Sequence, residues 1–437
     1  MLELTPITVG YLGIGGLLVF LLLGMPIAFA SLVVGFAGLA AMRGFHAAMS
    51  VLGGTPYATL SSYPMGVVPM FVIMGYFAYH AGITRQMYDA ARNWVGHYPG
   101  GLAVATIAGC TGFAAVSGSS AATAAVMARI ALPEMRRYGY PAHVSAGAVA
   151  AGGTLSSMIP PSVILVVYAI TVEQSVRSLL LAGMIPGLVC AAIFMLYIIV
   201  RSHFNPALGP PAPKVAWAER LSSLRGLWGI LTLIAVVLGG TYTGVFTATE
   251  AGAAGAFGAL VLALAARGLD WPKFRSALME TGRTTFMLFA LIVGIAVFVR
   301  FLSFTGLPQM LVHLATESNA PPLVILLLIL FVFMILGMFM EPMGMMMLTL
   351  PFVFPVIVAL GYNPIWFGII FVKMAEMCML TPPIGMNCFV VAAVDKETPL
   401  AEVFRGIMPY WAMDIVTVGL LIAFPSIALF LPRLMAN

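Results

Sequence analysis

Long apolar runs follow one another along this chain, and most are long enough to cross a bilayer as a helix, for which about 20 residues suffice. They fall at residues 6–23, 26–42, 64–81, 101–132, 142–170 and 178–200, and, beyond a polar stretch at 201–226, at 227–244, 249–266, 284–302, 321–358, 364–394 and 407–431. Breaks between them coincide with glycine and proline, as at Gly24-Met25-Pro26. Only 8% of the residues are charged, against about 25% in soluble domains. Too little polar surface is available to meet water all round, so lipid is the natural solvent. The number of runs excludes a single anchor.

The formal charge of +5 comes from basic residues scattered among loops. That pattern excludes a nucleic-acid surface and reads as topology signal. Cys110, Cys190, Cys378 and Cys388 all lie in apolar segments without metal-ligand spacing, which predicts small buried thiols. Residues 6–23 have neither a basic n-region before them nor a small-residue cleavage site, and read as a retained span.

The chain repeats itself. An offset of 222 residues places Pro133 on Pro355, Gly139-Tyr140 on Gly361-Tyr362, and Pro160-Pro161 on Pro382-Pro383; with two residues of slippage Gly82 falls on Gly306. Charge placement gives the two copies opposite orientation. Loops 82–100 (Arg85, Arg92) and 129–140 (Arg129, Arg136, Arg137) read as cytoplasmic, whereas the matching loops 303–320 and 355–363 contain no Lys or Arg. The stretches 201–226 (Arg201, Lys214, Arg220, Arg225), 267–283 (Arg267, Lys273, Arg275, Arg283) and 395–405 (Lys396, Arg405) also read as inside, and the tip 241–249 as outside. Runs 101–132 and 321–358 must then each enter and leave on one side.

The expected architecture is therefore an all-α integral membrane protein. It has about 10–11 transmembrane helices and two re-entrant helical hairpins in two inverted-topology repeats. Residues 1–63 form N-terminal scaffold helices. Residues 64–200 form repeat 1, with a hairpin at about 101–132 and a broken helix at about 142–170. Residues 201–283 hold a central cytoplasmic linker and a scaffold helix pair. Residues 284–437 form repeat 2, with a hairpin at about 321–358 and a broken helix at about 364–394. Inverted repeats with broken helices mark secondary transporters.

Three kinds of local sequence carry possible chemistry. Thr111 to Thr123, with Ser117-Gly118-Ser119-Ser120 at its centre, falls in the middle of the first hairpin run. Its hydroxyls and freed carbonyls are hard oxygen ligands suited to an alkali cation; its small residues serve close packing equally well. Ser156-Ser157-Met158-Ile159-Pro160-Pro161-Ser162 and Met379-Leu380-Thr381-Pro382-Pro383-Ile384-Gly385-Met386-Asn387 break their helices, because each proline removes a donor, and leave carbonyls free to face an ion. Charges within or beside spans come third: Glu341, matching Ser119; Glu376, matching Thr154; Lys373, one helical turn before Glu376; and Arg300 and Glu250. Lys373 and Glu376 either serve function or neutralise one another. No Walker-type loop and no His-Glu-x-x-His occurs, and no histidine lies where it could activate Ser119, so no catalytic reading competes.

At these motifs the chain resembles, over nearly its whole length, the large membrane subunit of tripartite ATP-independent periplasmic (TRAP) transporters. The resemblance rests on Gly24-Met25-Pro26-Ile27-Ala28-Phe29-Ala30, the Ser117 to Thr123 cluster, Ile159-Pro160-Pro161-Ser162, Thr247-Ala248-Thr249-Glu250-Ala251, and Thr381 to Asn387. It implies an elevator-type fold in a bacterial or archaeal cytoplasmic (inner) membrane. It implies sodium-coupled uptake of a small carboxylate delivered by a periplasmic binding protein, beside a small four-helix membrane subunit on a separate chain. Sodium is the only ion and no organic cofactor is implied. Carried over residue by residue, one sodium site falls at Ser117, Gly118, Pro160 and Ser162. A second falls at Gly337, Met340, Thr381, Pro382 and Asn387. Substrate falls at Ser119, Ser120, Thr123 and Glu341. Lys373 and Arg300 depart from the uncharged residues expected there, and are candidates to pair with a substrate carboxylate. The alternatives are a stand-alone sodium/anion symporter, an ion channel or a membrane enzyme.

Overall fold

A computed structural model describes residues 5–436. Among the described residues the chain is helical, with short 3-10 and π turns at the breaks and no strand. Among the described residues six helices are long and apolar enough to cross a membrane: Val176–Phe204, Trp217–Thr243, Ala248–Ala265, Trp271–Thr305, Pro342–Ala359 and Leu400–Ala423. Phe45–Leu60 and Tyr63–His80 pass the same test as one span bent by 63°. Pro6–Leu22, Ile27–Arg43, Gly101–Ser117, Pro322–Gly337 and Ser426–Met435 are shorter apolar helices. The first four have 16 or 17 residues, close to the lower limit for a span.

Local chemistry sets the helix ends. Thr5 accepts a hydrogen bond from the Thr8 amide, and Pro6 opens the first helix. Thr247 and Glu250 form a reciprocal capping box at the start of Ala248–Ala265. Glu250, one of the charges beside an apolar run, is thus an exposed helix cap.

The chain forms two compact units. One comprises Met1–Gly66, Gly282–Val332 and Met343–Pro364. Within it, small residues bring helices close: a methyl added at Gly35 would lie 2.7 Å from the Phe298 backbone, and one at Gly294 would lie 2.1 Å from the Ala28 carbonyl oxygen. Without a hydrophobic difference between lipid and protein, such close backbone approach is what holds membrane helices together.

The other unit comprises Val67–Thr281, Phe333–Pro342 and Ile365–Asn437. Its core is rich in alanine, with Leu102, Ile107, Met127, Val149, Phe194 and Ile407 among the larger buried side chains. Gly101–Ser117 and Ser120–Arg137 form a hairpin joined by two residues. Ala142–Thr154 is followed by a 3-10 turn, an irregular segment and Val163–Thr171. Pro364–Cys378 is followed by a similar break and Met386–Val394. Both Pro-Pro bonds, 160–161 and 382–383, are cis. Leu400–Ala423 packs on Ala142–Thr154 where Gly147 meets the Gly406 carbonyl. All four cysteines are free and buried.

Two loops that share the basic signature of the cytoplasmic side meet in this unit. Arg136 pairs with Asp395 at 2.6 Å and with Glu397 at 2.7 Å. Burial opposes ionisation of Asp395, but hydrogen bonds from Arg136 and Thr398 outweigh it and hold its carboxyl below the usual carboxylate range. A carboxyl lowered in the fold contributes stability at neutral pH that is lost as pH falls through its folded value. The pairs are partly exposed, so Arg136→Ala should cost about 1 kcal/mol or less. Thermal unfolding of the purified protein should show that small loss at neutral pH and no difference from wild type in strong acid.

Candidate functional site

The first hairpin turns where its sequence is smallest. Gly101–Ser117 stops at Gly118, whose φ is +61°, a left-handed value that glycine adopts without penalty. Ser119 then caps the returning helix, its Oγ accepting from the Ala122 amide at 3.4 Å. A methyl at Gly118 would lie 2.6 Å from the Pro161 carbonyl oxygen. The hairpin tip therefore rests on the backbone of the first Pro-Pro break. Beyond that break Ser162 caps Val163–Thr171, accepting from the Leu165 amide at 3.2 Å and donating to the Ser157 carbonyl. Thr123 and Ser156 hydroxyls hydrogen-bond at 2.7 Å and tie hairpin to broken helix a second time. Ser117 and Gly118 are thus beside the 160–162 segment.

The second break is built from different residues on the same plan. Thr381 donates to the Met377 carbonyl at 2.6 Å and accepts from the Trp411 indole at 3.2 Å. The Asn387 amide N–H closes the break onto the Met379 carbonyl at 3.1 Å. Gly337, at the end of Pro322–Gly337, lies so close to Cys378 that a methyl there would be 1.6 Å from its sulfur. Gly337 is buried, Met340 half-buried and Glu341 exposed.

Asn387 joins the two repeats. Its Nδ2 donates to Ser120 Oγ at 2.8 Å and to the Ala150 carbonyl at 3.1 Å. A carbonyl only accepts, so the amide orientation is settled, and the side-chain Oδ1 is left buried without a hydrogen-bond partner. A buried acceptor without a donor is uncommon and suits a cation ligand.

The residues considered for substrate are distributed unevenly. Ser119 is exposed at the hairpin tip, whereas Ser120 and Thr123 are buried and engaged by Asn387 and Ser156. Arg300 is exposed and belongs to the first unit. Lys373 is wholly buried. Its ammonium lies 2.6 Å from Asp414 Oδ1, 2.8 Å from Glu376 Oε2 and 3.0 Å from Cys190 Sγ. Asp414 was not among the residues marked by sequence, and Cys190 was read there only as a small buried thiol. Asp414 did carry a signal, as a lone carboxylate inside the apolar run 407–431.

Residues 14–427 match the model of the tripartite ATP-independent periplasmic transporter, DctM component. The chain is 38% identical over 381 residues to the C4-dicarboxylate TRAP transporter large permease protein DctM of Pseudomonas aeruginosa, covering 86% of this chain and 88% of that one. It is 33% identical over 425 residues to the sialic acid TRAP transporter large permease protein SiaM of Vibrio cholerae, covering 96% and 97%. Among solved structures, the Alcanivorax borkumensis YdaH transporter superposes with a TM-score of 0.64 at 14% identity, over 89% of this chain and 91% of that one. That likeness shows a shared fold. With the family model spanning nearly all of it and relatives matched almost end to end, this chain belongs to the DctM component family, the large permeases of tripartite ATP-independent periplasmic transporters.

Proposed function

We propose that this permease takes up a small organic acid across the cytoplasmic membrane of a bacterium or archaeon, coupled to sodium, by an elevator movement. The acid arrives on a periplasmic binding protein, and a separate small four-helix subunit braces the permease. The carboxylate assignment leans on relatives named for C4-dicarboxylates and sialic acid. The observation that carries sodium coupling is the orphaned Oδ1 of Asn387, buried beside the second break. It adds a hard oxygen to the carbonyls freed at Pro160-Pro161 and Pro382-Pro383. The two sodium sites of this reading are Ser117, Gly118, Pro160 and Ser162, and Gly337, Met340, Thr381, Pro382 and Asn387. The substrate site is Ser119, Ser120, Thr123 and Glu341. The division of the chain into two compact units, one holding both breaks and the first hairpin, supports this reading. Inward movement of positive charge with sodium is favoured by about 2.3 kcal/mol per charge per 100 mV.

The test is uptake into liposomes holding the permease and its small subunit, with the binding protein outside. A sodium gradient should drive uptake, and replacing sodium with choline should abolish it. Asn387→Ala should raise the sodium concentration needed for half-maximal uptake about tenfold, in line with losing one polar contact of 1–2 kcal/mol. Uptake indifferent to sodium would overturn the coupling. Uptake without the binding protein would mark a stand-alone symporter instead.

A further inference from the structure

Lys373, Glu376 and Asp414 are, among the described residues, the only charged side chains that are buried, and each is 0% exposed. They come from two helices, Pro364–Cys378 and Leu400–Ala423, and a third, Val176–Phe204, contributes Cys190. The Lys373 ammonium has three N–H donors, and all three are directed at partners: Asp414 Oδ1, Glu376 Oε2 and Cys190 Sγ. The Phe194 ring, 5.5 Å from the ammonium, closes the site from the Val176–Phe204 helix. Tyr410, one turn before Asp414, stacks edge-on against that ring at 5.2 Å. Tyr168 lies against Phe371, two residues before Lys373. Among the described residues, Lys373 is the one cation paired with these carboxylates.

The charges do not balance. One ammonium faces two carboxylates, so the fully ionised cluster carries a net charge of −1 on wholly buried side chains. An uncompensated charge is what such an environment tolerates least. The outer oxygens repeat the message. Glu376 Oε1 and Asp414 Oδ2 are both buried without any hydrogen-bond partner. One proton supplies the missing charge of +1 and turns one of these two orphaned oxygens into a hydroxyl.

We propose that Lys373, Glu376 and Asp414 form a proton-binding site that holds one proton on Glu376. The step is protonation of the Glu376 carboxylate by hydronium, giving the carboxylic acid and water and taking the cluster from −1 to neutral. Glu376 is the acceptor because Asp414 holds the stronger ionic contacts. Asp414 is the nearer to the ammonium, and its Oδ1 also accepts from the Cys190 thiol at 3.7 Å. Lys373 and Asp414 then form the ion pair, and Glu376 remains as a neutral acid beside it. Coupled carboxylates that share a single proton are the known consequence of like charges held together.

Infrared spectroscopy of the purified full-length protein in lipid nanodiscs reads this directly, and needs no transport. Wild type at pH 7 in sodium-free buffer should show a carboxylic-acid C=O band that shifts on exchange into heavy water, because among the described residues every other carboxylate is at least partly exposed. The band should be lost in Glu376→Gln. It should also be lost in Asp414→Asn, where Glu376 becomes the only counterion of Lys373 and must ionise. Circular dichroism confirms that each variant is folded, and the wild-type band stands even if one is not. Glu376→Asp, which keeps the acid, should retain a shifted band. No acid band in wild type, or a band untouched by Glu376→Gln, overturns the proposal. A wild-type band that disappears when sodium is added also overturns it, by making sodium the occupant.

Discussion

Lys373→Met should be the most damaging single substitution in this chain, with a loss of about 3–5 kcal/mol, the cost of leaving buried charge without its partner. The ammonium is the only cation beside Glu376 and Asp414, and all three side chains are fully buried. Without it the cluster must either keep an anion in a fully buried site or take up another proton. Thermal unfolding and the yield of monodisperse protein measure the effect. The pattern of rescue is more informative than the loss. With the proton on Glu376, the ion pair is Lys373 with Asp414, so Lys373→Met combined with Asp414→Asn leaves nothing charged and should recover most of the stability. Lys373→Met combined with Glu376→Gln still leaves Asp414 and should recover little. Residues in one network couple strongly, so the double variants separate these cases where single ones do not. Equal rescue by both would sink the assignment of the proton.

Gly118→Ala should be nearly as costly and should abolish uptake. Two effects add. The left-handed backbone at φ +61° costs an alanine about 1–2 kcal/mol. The new methyl would also lie 2.6 Å from the Pro161 carbonyl oxygen, a backbone atom that no rotamer change can move. Forced overpacking of this kind costs about 1–3 kcal/mol more. Gly82 provides the control. Its φ is +74°, yet nothing lies within 4 Å of where its methyl would go. Gly82→Ala should therefore show the backbone cost alone and keep uptake. Gly118→Ala should separate the hairpin tip from the first break and remove uptake beyond what its stability loss explains. Similar uptake by both variants would mean that this contact has no part in transport.

Much of this was legible from residue order. Hydropathy announced lipid as the solvent, because transfer of apolar surface is a property of each segment alone. The offset between the Pro-Pro pairs announced the repeat, and loop arginines its opposite hands. Single prolines such as Pro133 and Pro186 sit inside helices, but two adjacent ones remove two donors at once and break a helix, so both breaks could be placed to within a few residues: Ala142–Thr154 and Pro364–Cys378 end just before them. Glu250 was harder, since an acid beside an apolar run looks the same whether it binds something or caps a helix. The reciprocal bonds with Thr247 make it a cap.

Partners across the fold were not legible. Asn387 and Ser120 are 267 residues apart, and Lys373 and Cys190 are 183 apart. A helix pattern states which face a residue occupies, but not which other helix that face meets. Lys373 next to Glu376 therefore looked like a balanced pair on one helical turn. Packing brought Asp414 from another helix and turned a neutral pair into a cluster one proton short. Sequence by itself determined the medium, the helices, their breaks and the two opposed copies, because each follows from local transfer free energies and backbone chemistry. Tertiary structure alone decided which oxygens face one another, because in a low-dielectric interior the state of a charge depends on the few ångströms to its neighbours.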